Sequence, residues 1–292
     1  MKSKKFIAVL TRCRDEFYIK EFCDYYLSQG IDDIHIIDDD SLDKSIYDFS
    51  ETNFYSNVRV HYTKRSYENS TTATNKPRTD DQPNQLYRKI KKDYKWLIYV
   101  DVDEFIATKR NINLTIREQL EIVSSQNKSF NLIFVPWVLM SGSGIKTNPK
   151  SVVNEVVWRH DHDKRHPFNV KKFRCRYDEI EYKSIFKTDS FNNIHDHFPL
   201  NPTTKTEPIN GIDFTKSRIN FKKSFFRNLR NKDIENGYFL CYHYRYISEE
   251  NCINKLNTNG WYINDGYKLE NLKNSTYAEV YDDTISKKMK DD

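Results

Sequence analysis

Residues 96–105, WLIYVDVDEF, constrain this chain more than any other stretch. Trp96, Leu97, Ile98, Tyr99 and Val100 form the apolar, β-branched and aromatic run that a buried strand needs. The run stops at three carboxylates within four residues: Asp101, Asp103 and Glu104. Acids at the carboxyl end of a strand in an open α/β sheet stand at the rim where ligands bind. Alternation puts Asp101 and Asp103 on one side, within reach of one hard cation. Left alone, the two charges raise each other's pKa. A divalent cation carrying a nucleotide's phosphates relieves that repulsion. The plainer explanation is that the acids solvate a strand end and cap the next helix, and so short a motif often arises by chance.

The preceding segments supply a sheet for this strand. Residues 5–10 (KFIAVL) read as a first buried strand. Ile19, Phe22, Cys23, Tyr26 and Leu27 follow at helical spacing, with Gly30 placed as the residue that ends the helix. Residues 34–37 (IHII) read as a second strand running into Asp38, Asp39 and Asp40, and residues 58–62 (VRVHY) as a third. Strand, helix, strand in so few residues implies a parallel sheet with right-handed crossovers. Residues 67–85 read as a long polar loop, of the kind that is often functional. Leu86, Tyr87, Ile90 and Tyr94 then mark a short helix, and Ile116, Leu120 and Val123 another.

Beyond residue 130 the pattern loosens. Residues 132–135 and 152–158 read as strands, separated by the turn Ser141-Gly142-Ser143-Gly144. Arg159, His160, Asp161, His162, Asp163 and His166 form a polar cluster whose spacing fits no closed zinc site, so a solvated loop is expected. Residues 183–187 and 238–244 are further strands, and Ser248 stands as the cap of a helix carrying Ile253, Lys255 and Leu256. Lys255 reads as a solvated helix residue. Between 216 and 232 lie seven Lys or Arg with Phe221, Phe225, Phe226 and Leu229 and no acid. That stretch is either a basic face packed on the domain or a contact for an anionic acceptor or membrane surface. The tail from Lys287 is expected to fray.

Composition removes several classes. With 37% hydrophobic and 30% charged residues the chain packs a core rather than staying disordered. Seven glycines, with no GxGxxG and no Walker motif, leave no glycine-rich phosphate loop. A net charge of +5 is too mild to point to nucleic acid. Five cysteines without CxxC spacing read as buried free thiols of a reducing compartment. The first residues carry too short an apolar run for a signal peptide or span, so a cytoplasmic protein without a transmembrane segment is expected.

Four segments taken in order resemble the GT-A glycosyltransferases of the family 2 and family 92 type. They are the first strand with Arg14-Asp15-Glu16 and Gly30-Ile31; the Asp-rich end of the second strand with Ser41 and Asp43; residues 96–105; and the set Ser141-Gly142-Ser143-Gly144, Lys183, His197-Phe198-Pro199, His243-Tyr244, Ser248 and Lys255. The pattern spans residues 6–262. The resemblance implies a mixed, mainly parallel α/β sheet flanked by helices, with a less regular carboxyl-terminal acceptor part. It implies one domain over 1–275, with a nucleotide-sugar half at 1–130, an acceptor half at 131–275 and a tail at 276–292. It further implies an inverting hexosyltransferase that uses a nucleotide-sugar donor, a UDP-sugar by preference, and a glycan, glycoprotein or lipid-linked acceptor.

On this resemblance Asp101, Asp103 and His243 hold Mn²⁺ or Mg²⁺. Thr11, Arg12, Arg14, Glu16, Asp38, Asp39, Asp101 and His197 bind the donor. The segment Arg14-Asp15-Glu16 departs from relatives that carry Asn before Glu. Inversion needs a carboxylate to take the acceptor's proton, and Glu155, Asp161, Asp163 and Asp196 are the candidates. Two other readings compete: a metal-dependent phosphohydrolase, whose paired Asp would belong on the first strand, and a non-catalytic sugar binder, which would have lost the motif.

Overall fold

The computed structural model describes residues 3–64, 81–126, 129–164, 180–217, 219, 226, 229–258, 262–263, 266–273 and 277–289. Most of the loop expected at 67–85, His166, Cys175 and most of the basic stretch at 216–232 lie outside the described residues.

The amino-terminal half is a parallel sheet. Strand β1 (Lys5–Cys13) leads through α1 (Ile19–Ser28) to β2 (Asp33–Asp39), and β3 (Val58–Thr63) follows. Helix α2 (Gln82–Ile90) then feeds β4 (Tyr94–Tyr99). β1 pairs in parallel with both β2 and β4, and β2 with β3, so all four carboxyl ends share one edge. Along β1, Ile7 and Val9 enter one core cluster while Ala8 and Leu10 enter another. A sheet buried on both faces explains why its strands read as continuous apolar runs. Gly30 takes φ +78 just past α1, the left-handed turn that glycine adopts without strain.

The second half is mixed. A short β5 (Glu104–Ala107) and α3 (Ile116–Gln126) precede the long β6 (Leu132–Ser141), and α4 (Val152–Glu155) and β7 (Trp158–Arg159) come next. Strand β8 (Tyr182–Lys187) runs antiparallel between β4 and β6. β9 (Phe191–Ile194) and β10 (Pro199–Pro202) form a hairpin, and β11 (Pro208–Asn210) adds to β6. After α5 (Asn231–Glu235), β12 (Leu240–Tyr246) lies parallel to β6 and antiparallel to β5. α6 (Glu249–Thr258), α7 (Leu269–Lys273), β13 (Val280–Tyr281) and α8 (Thr284–Met289) complete the chain. The order β3-β2-β1-β4-β8-β6, flanked by helices, is the Rossmann-like GT-A arrangement expected from the sequence. Among the described residues no helix is long and apolar enough to cross a membrane.

Three local expectations are corrected. Of the valine-rich segment 152–158, residues 152–155 are helical and only Trp158 joins a strand: Ser151 caps Asn154 N at 3.2 Å, and Glu155 accepts from Lys150 N at 2.8 Å, which closes a helical turn. Residues 82–85 belong to α2, whose start is fixed by Asp81 accepting from Asn84 N and by Pro83 in the first turn. The tail does not fray at Lys287, because α8 continues to Met289 and Lys288 Nζ donates to the carbonyls of Ile112 and Leu114, both at 2.8 Å.

Candidate functional site

Register assembles the site at the common carboxyl edge. Tyr99 on β4 pairs with Ser184 on β8, which brings Lys183 level with the first acid of the motif. Lys183 Nζ lies 2.9 Å from Asp101 Oδ2 and 2.9 Å from Glu104 Oε2, and it donates to Asp196 O at 2.8 Å. Burial alone would lower the pKa of Lys183, but Asp101, Glu104 and Asp196 drive it well above the ordinary lysine value. Glu104 is wholly buried, which pushes its carboxyl well up, and its Oε2 accepts from Asp101 N at 2.7 Å. Glu104 therefore braces the turn from inside rather than meeting a ligand.

Antiparallel pairing of β12 with β5 sets His243 opposite Glu104, and Tyr244 N donates to Asp103 O at 2.7 Å. His243 Nε2 comes 3.5 Å from Asp103 Oδ1, while its buried Nδ1 has no hydrogen-bond partner. Burial lowers the His243 pKa against the pull of Asp103. Its ring centroid is 4.3 Å from that of Trp137, and His197 lies 5.5 Å from the same indole. His197 Nδ1 contacts Tyr182 O at 3.0 Å.

The sequence expectation for Lys255 is overturned. Its Nζ is buried at 2.9 Å from Asp103 Oδ2 and 3.7 Å from Glu16 Oε1. Burial would raise the Asp103 pKa, yet Lys255 and His243 outweigh it and hold the carboxyl well below its usual range. α6 aims this lysine. Ser248 Oγ accepts from Asn251 N at 3.0 Å and donates to Asn148 Oδ1 at 2.7 Å, as its capping position suggested. Gly142 lets the preceding turn press on this junction, for a Cβ there would sit 1.9 Å from Ile247 O.

On the β1 side, Arg12 Nη2 lies 3.3 Å from Asp196 Oδ1, to which Tyr99 OH donates at 3.4 Å. Burial would raise the Asp196 pKa, but Arg12 and Lys183 hold it well below the usual carboxylate range. Asp38 is engaged within the protein. It is buried, and it accepts from Ser41 N, Tyr47 OH and Lys44 Nζ at 3.0, 3.0 and 2.9 Å, so it organises the β2 loop. Asp15, at φ +52, accepts from Leu42 N at 2.7 Å and ties the β1 loop to that loop. Asp39 ends β2 opposite Thr63, while the exposed Tyr62 pairs with Asp38 and has Lys44 Nζ over its ring at 4.8 Å. Thr11 is fully buried, and Arg14 Nε faces its neighbour Asp15 at 3.7 Å.

Thus Arg12, Glu16, Asp101, Asp103, Asp196, His197 and His243 share one neighbourhood. Glu155, Asp161 and Asp163 are bonded elsewhere. Glu155 closes α4, while Asp161 and Asp163 both accept from Asn231 Nδ2, at 2.6 and 3.1 Å. The sequence reading missed Trp137 as the wall between two histidines, and it missed both lysines as partners of the acids. The one signal for Lys183 was a charge inside an otherwise strand-like YKSIFK.

The donor set suits a divalent cation that arrives with a ligand. Among the described residues no three His, Cys, Asp or Glu gather closely enough to hold a metal alone. Mg²⁺-type sites do not require that, since one or two carboxylates plus substrate phosphates suffice. Asp103 gives one such carboxylate, with Asp101 on the same turn, and the ring of His243, whose Nδ1 has no hydrogen-bond partner, stands beside it.

No family model matches the sequence, and no curated protein matches it. Among solved structures, residues 1–349 of S. aureus TarS in complex with UDP align with 63% of this chain and 47% of theirs, at 15% identity and TM-score 0.36. A putative glucose-1-phosphate thymidylyltransferase from Bacillus anthracis in complex with a sucrose aligns over 64% of this chain and 72% of that one, at 10% identity and TM-score 0.32. The chain therefore spans about half the length of the TarS fragment. Likenesses this distant add nothing to the fold, which rests on the strand order of the central sheet.

Proposed function

We propose that the chain transfers a sugar, of hexose type, from a nucleoside-diphosphate donor to a hydroxyl of a glycan, glycoprotein or lipid-linked acceptor. One observation carries this reading: at the carboxyl edge of β1 and β4, Lys183 pairs with Asp101, Lys255 and His243 meet Asp103, and Arg12 pairs with the adjoining Asp196. Cleaving the bond between the anomeric carbon and phosphate oxygen leaves charge on a diphosphate. Cations held in a partly dry site stabilise that charge. Asp103 and His243 would hold Mn²⁺ or Mg²⁺, and a cation bound there supplies Lewis-acid stabilisation of the same charge.

We assign the nucleobase to the exposed ring of Tyr62 at the end of β3, with Asp39 on the neighbouring strand end. Asp196 is assigned to orient Arg12, because a carboxylate held this low is a weak proton acceptor at neutral pH. The halves 1–130 and 131–275 serve, in this reading, the donor and the acceptor. Thermal stabilisation by a panel of nucleoside diphosphates and their sugars, with Mn²⁺ and with chelator, tests it. One nucleotide should raise the melting temperature, and Arg12→Met should abolish the rise. Hydrolysis of simple phosphate esters with no response to any nucleotide would sink the reading.

A further inference from the structure

We propose that Lys255 is an internal counter-ion, and that its exchange from Asp103 to the donor's diphosphate couples entry of the divalent cation to arrival of the donor. The inference rests on the glycosyl-transfer reading and adds a role for a residue the sequence marked as solvated.

The geometry sets up a competition. Lys255 Nζ holds Asp103 Oδ2 at 2.9 Å, and Asp103 is also the carboxylate that adjoins His243. A cation arriving alone beside His243 meets Oδ1 of Asp103 while Lys255 holds Oδ2 of the same carboxylate, so the ammonium either repels it at close range or swings away. An ammonium that swings away keeps, among the described residues, Glu16 alone as an ion-pair partner, 3.7 Å away inside a buried pocket. Stranding a buried charge with a weaker partner is costly. A diphosphate removes both obstacles, because it brings the oxygens the cation lacks and offers the ammonium a new anion. The lysine's root need not move. α6 is pinned by Ser248 and by Glu249 N donating to Ile145 O at 3.0 Å, so only the side chain swings. No covalent bond forms or breaks; the Lys255–Asp103 pair is exchanged for an Asp103–cation pair and a Lys255–diphosphate pair. Coupling of this sort is reciprocal, so the diphosphate must tighten the cation as much as the cation tightens the diphosphate.

Mn²⁺ binding followed by the paramagnetic resonance of the free ion tests the exchange on the full chain. Mn²⁺ alone should bind Lys255→Met at least about tenfold more tightly than wild type, a factor ordinary for coupled sites. Inorganic pyrophosphate, with its own Mn²⁺ complex subtracted, should tighten Mn²⁺ strongly in wild type and little in the variant. Lys255→Gln, which keeps a hydrogen-bonding group for Asp103, repeats the comparison should the methionine variant misfold. Equal or weaker Mn²⁺ binding in both variants would overturn the proposal, as would equal pyrophosphate coupling in variant and wild type. Failure of every nucleotide to stabilise the protein would sink the sugar-transfer reading alone, since the Mn²⁺ comparison uses no nucleotide.

Discussion

Lys255 Nζ and Asp103 Oδ2 stand 2.9 Å apart across 152 residues of sequence, and both side chains are largely buried. The pair joins the last strand–helix unit to the acid motif of the central strand. Removing one partner leaves the other charged and dry, which costs about 3–5 kcal/mol. Lys255→Met should therefore lower the unfolding free energy by about that much in urea, measured with chelator present. The double variant Lys255→Met/Asp103→Asn should recover part of the loss, since no bare charge remains opposite the methionine. Additive losses would mean that the two groups do not interact.

The acidic candidates separate by position. Asp196 lies against Arg12, whereas Glu155 and Asp163 are bonded within other parts of the fold. Asp196→Asn should weaken nucleotide binding roughly tenfold by loosening Arg12, the scale of one charge-assisted hydrogen bond. Glu155→Gln and Asp163→Asn should leave it within roughly threefold. Isothermal titration of the three variants decides, and a loss confined to Glu155→Gln would move the site toward α4.

Gly142 carries a prediction about the same site from the outside. A methyl group there would meet Ile247 O at 1.9 Å, so the turn after β6 must retreat from the β12–α6 junction. Gly142→Ala should cost about 1–3 kcal/mol, as overpacking does. It should also disturb the aim of Lys255, so Mn²⁺ affinity should change along with stability. A stable variant with unaltered Mn²⁺ binding would show that the junction tolerates the shift.

Legibility in the sequence depends on how local each signal is. β1, β2 and β4 are buried on both faces, so each reads as an apolar run, and the acids at the ends of β2 and β4 announce the edge without any partner. Gly30 and Ser248 are equally local, since a positive φ and a helix cap each need one residue. The lysines were not legible. Whether a lysine is solvated or buried depends on a carboxylate 82 or 152 residues away, and no window contains both. The valines of 152–158 misled for the opposite reason: their strand preference is real but weak, and the Ser151 cap with Glu155 overrode it. Asp161 and Asp163 look like loop acids free for chemistry, and only the fold reveals Asn231 between them.

His35 supplies a pH dependence away from the site. Its Nδ1 lies 3.1 Å from His61 Nε2 and its Nε2 2.9 Å from Tyr94 OH. Burial, with His61 and Arg59 nearby, lowers its pKa from 6.5 to about 4. Between those values the unfolded chain takes up a proton that the folded chain refuses, so stability falls as pH drops through that window. The full effect is about 3 kcal/mol. His35→Gln should flatten the fall in unfolding free energy between pH 6.5 and 4 relative to wild type. A variant with the same slope would place the acid sensitivity in other groups.

The carboxyl-terminal residues are the last element whose weight in the fold can be measured. Asp282 Oδ2 accepts from Arg159 Nε at 2.9 Å and from Lys109 Nζ at 2.5 Å, with both Arg159 and Asp282 side chains 1% exposed. Arg159 also reaches Glu235 at 3.0 Å, so one guanidinium ties β7, α5 and the final segment together. An arginine does not lose its proton when stranded, and Glu235, about half exposed, is a weak substitute partner. Asp282→Ala should thus cost about 3–5 kcal/mol, well above a surface substitution. Deleting residues 280–292 should cost at least as much, because β13 and the Lys288 contacts go with it. Urea unfolding of both proteins provides the check. A change under about 1 kcal/mol in either would make the segment an appendage rather than part of the core.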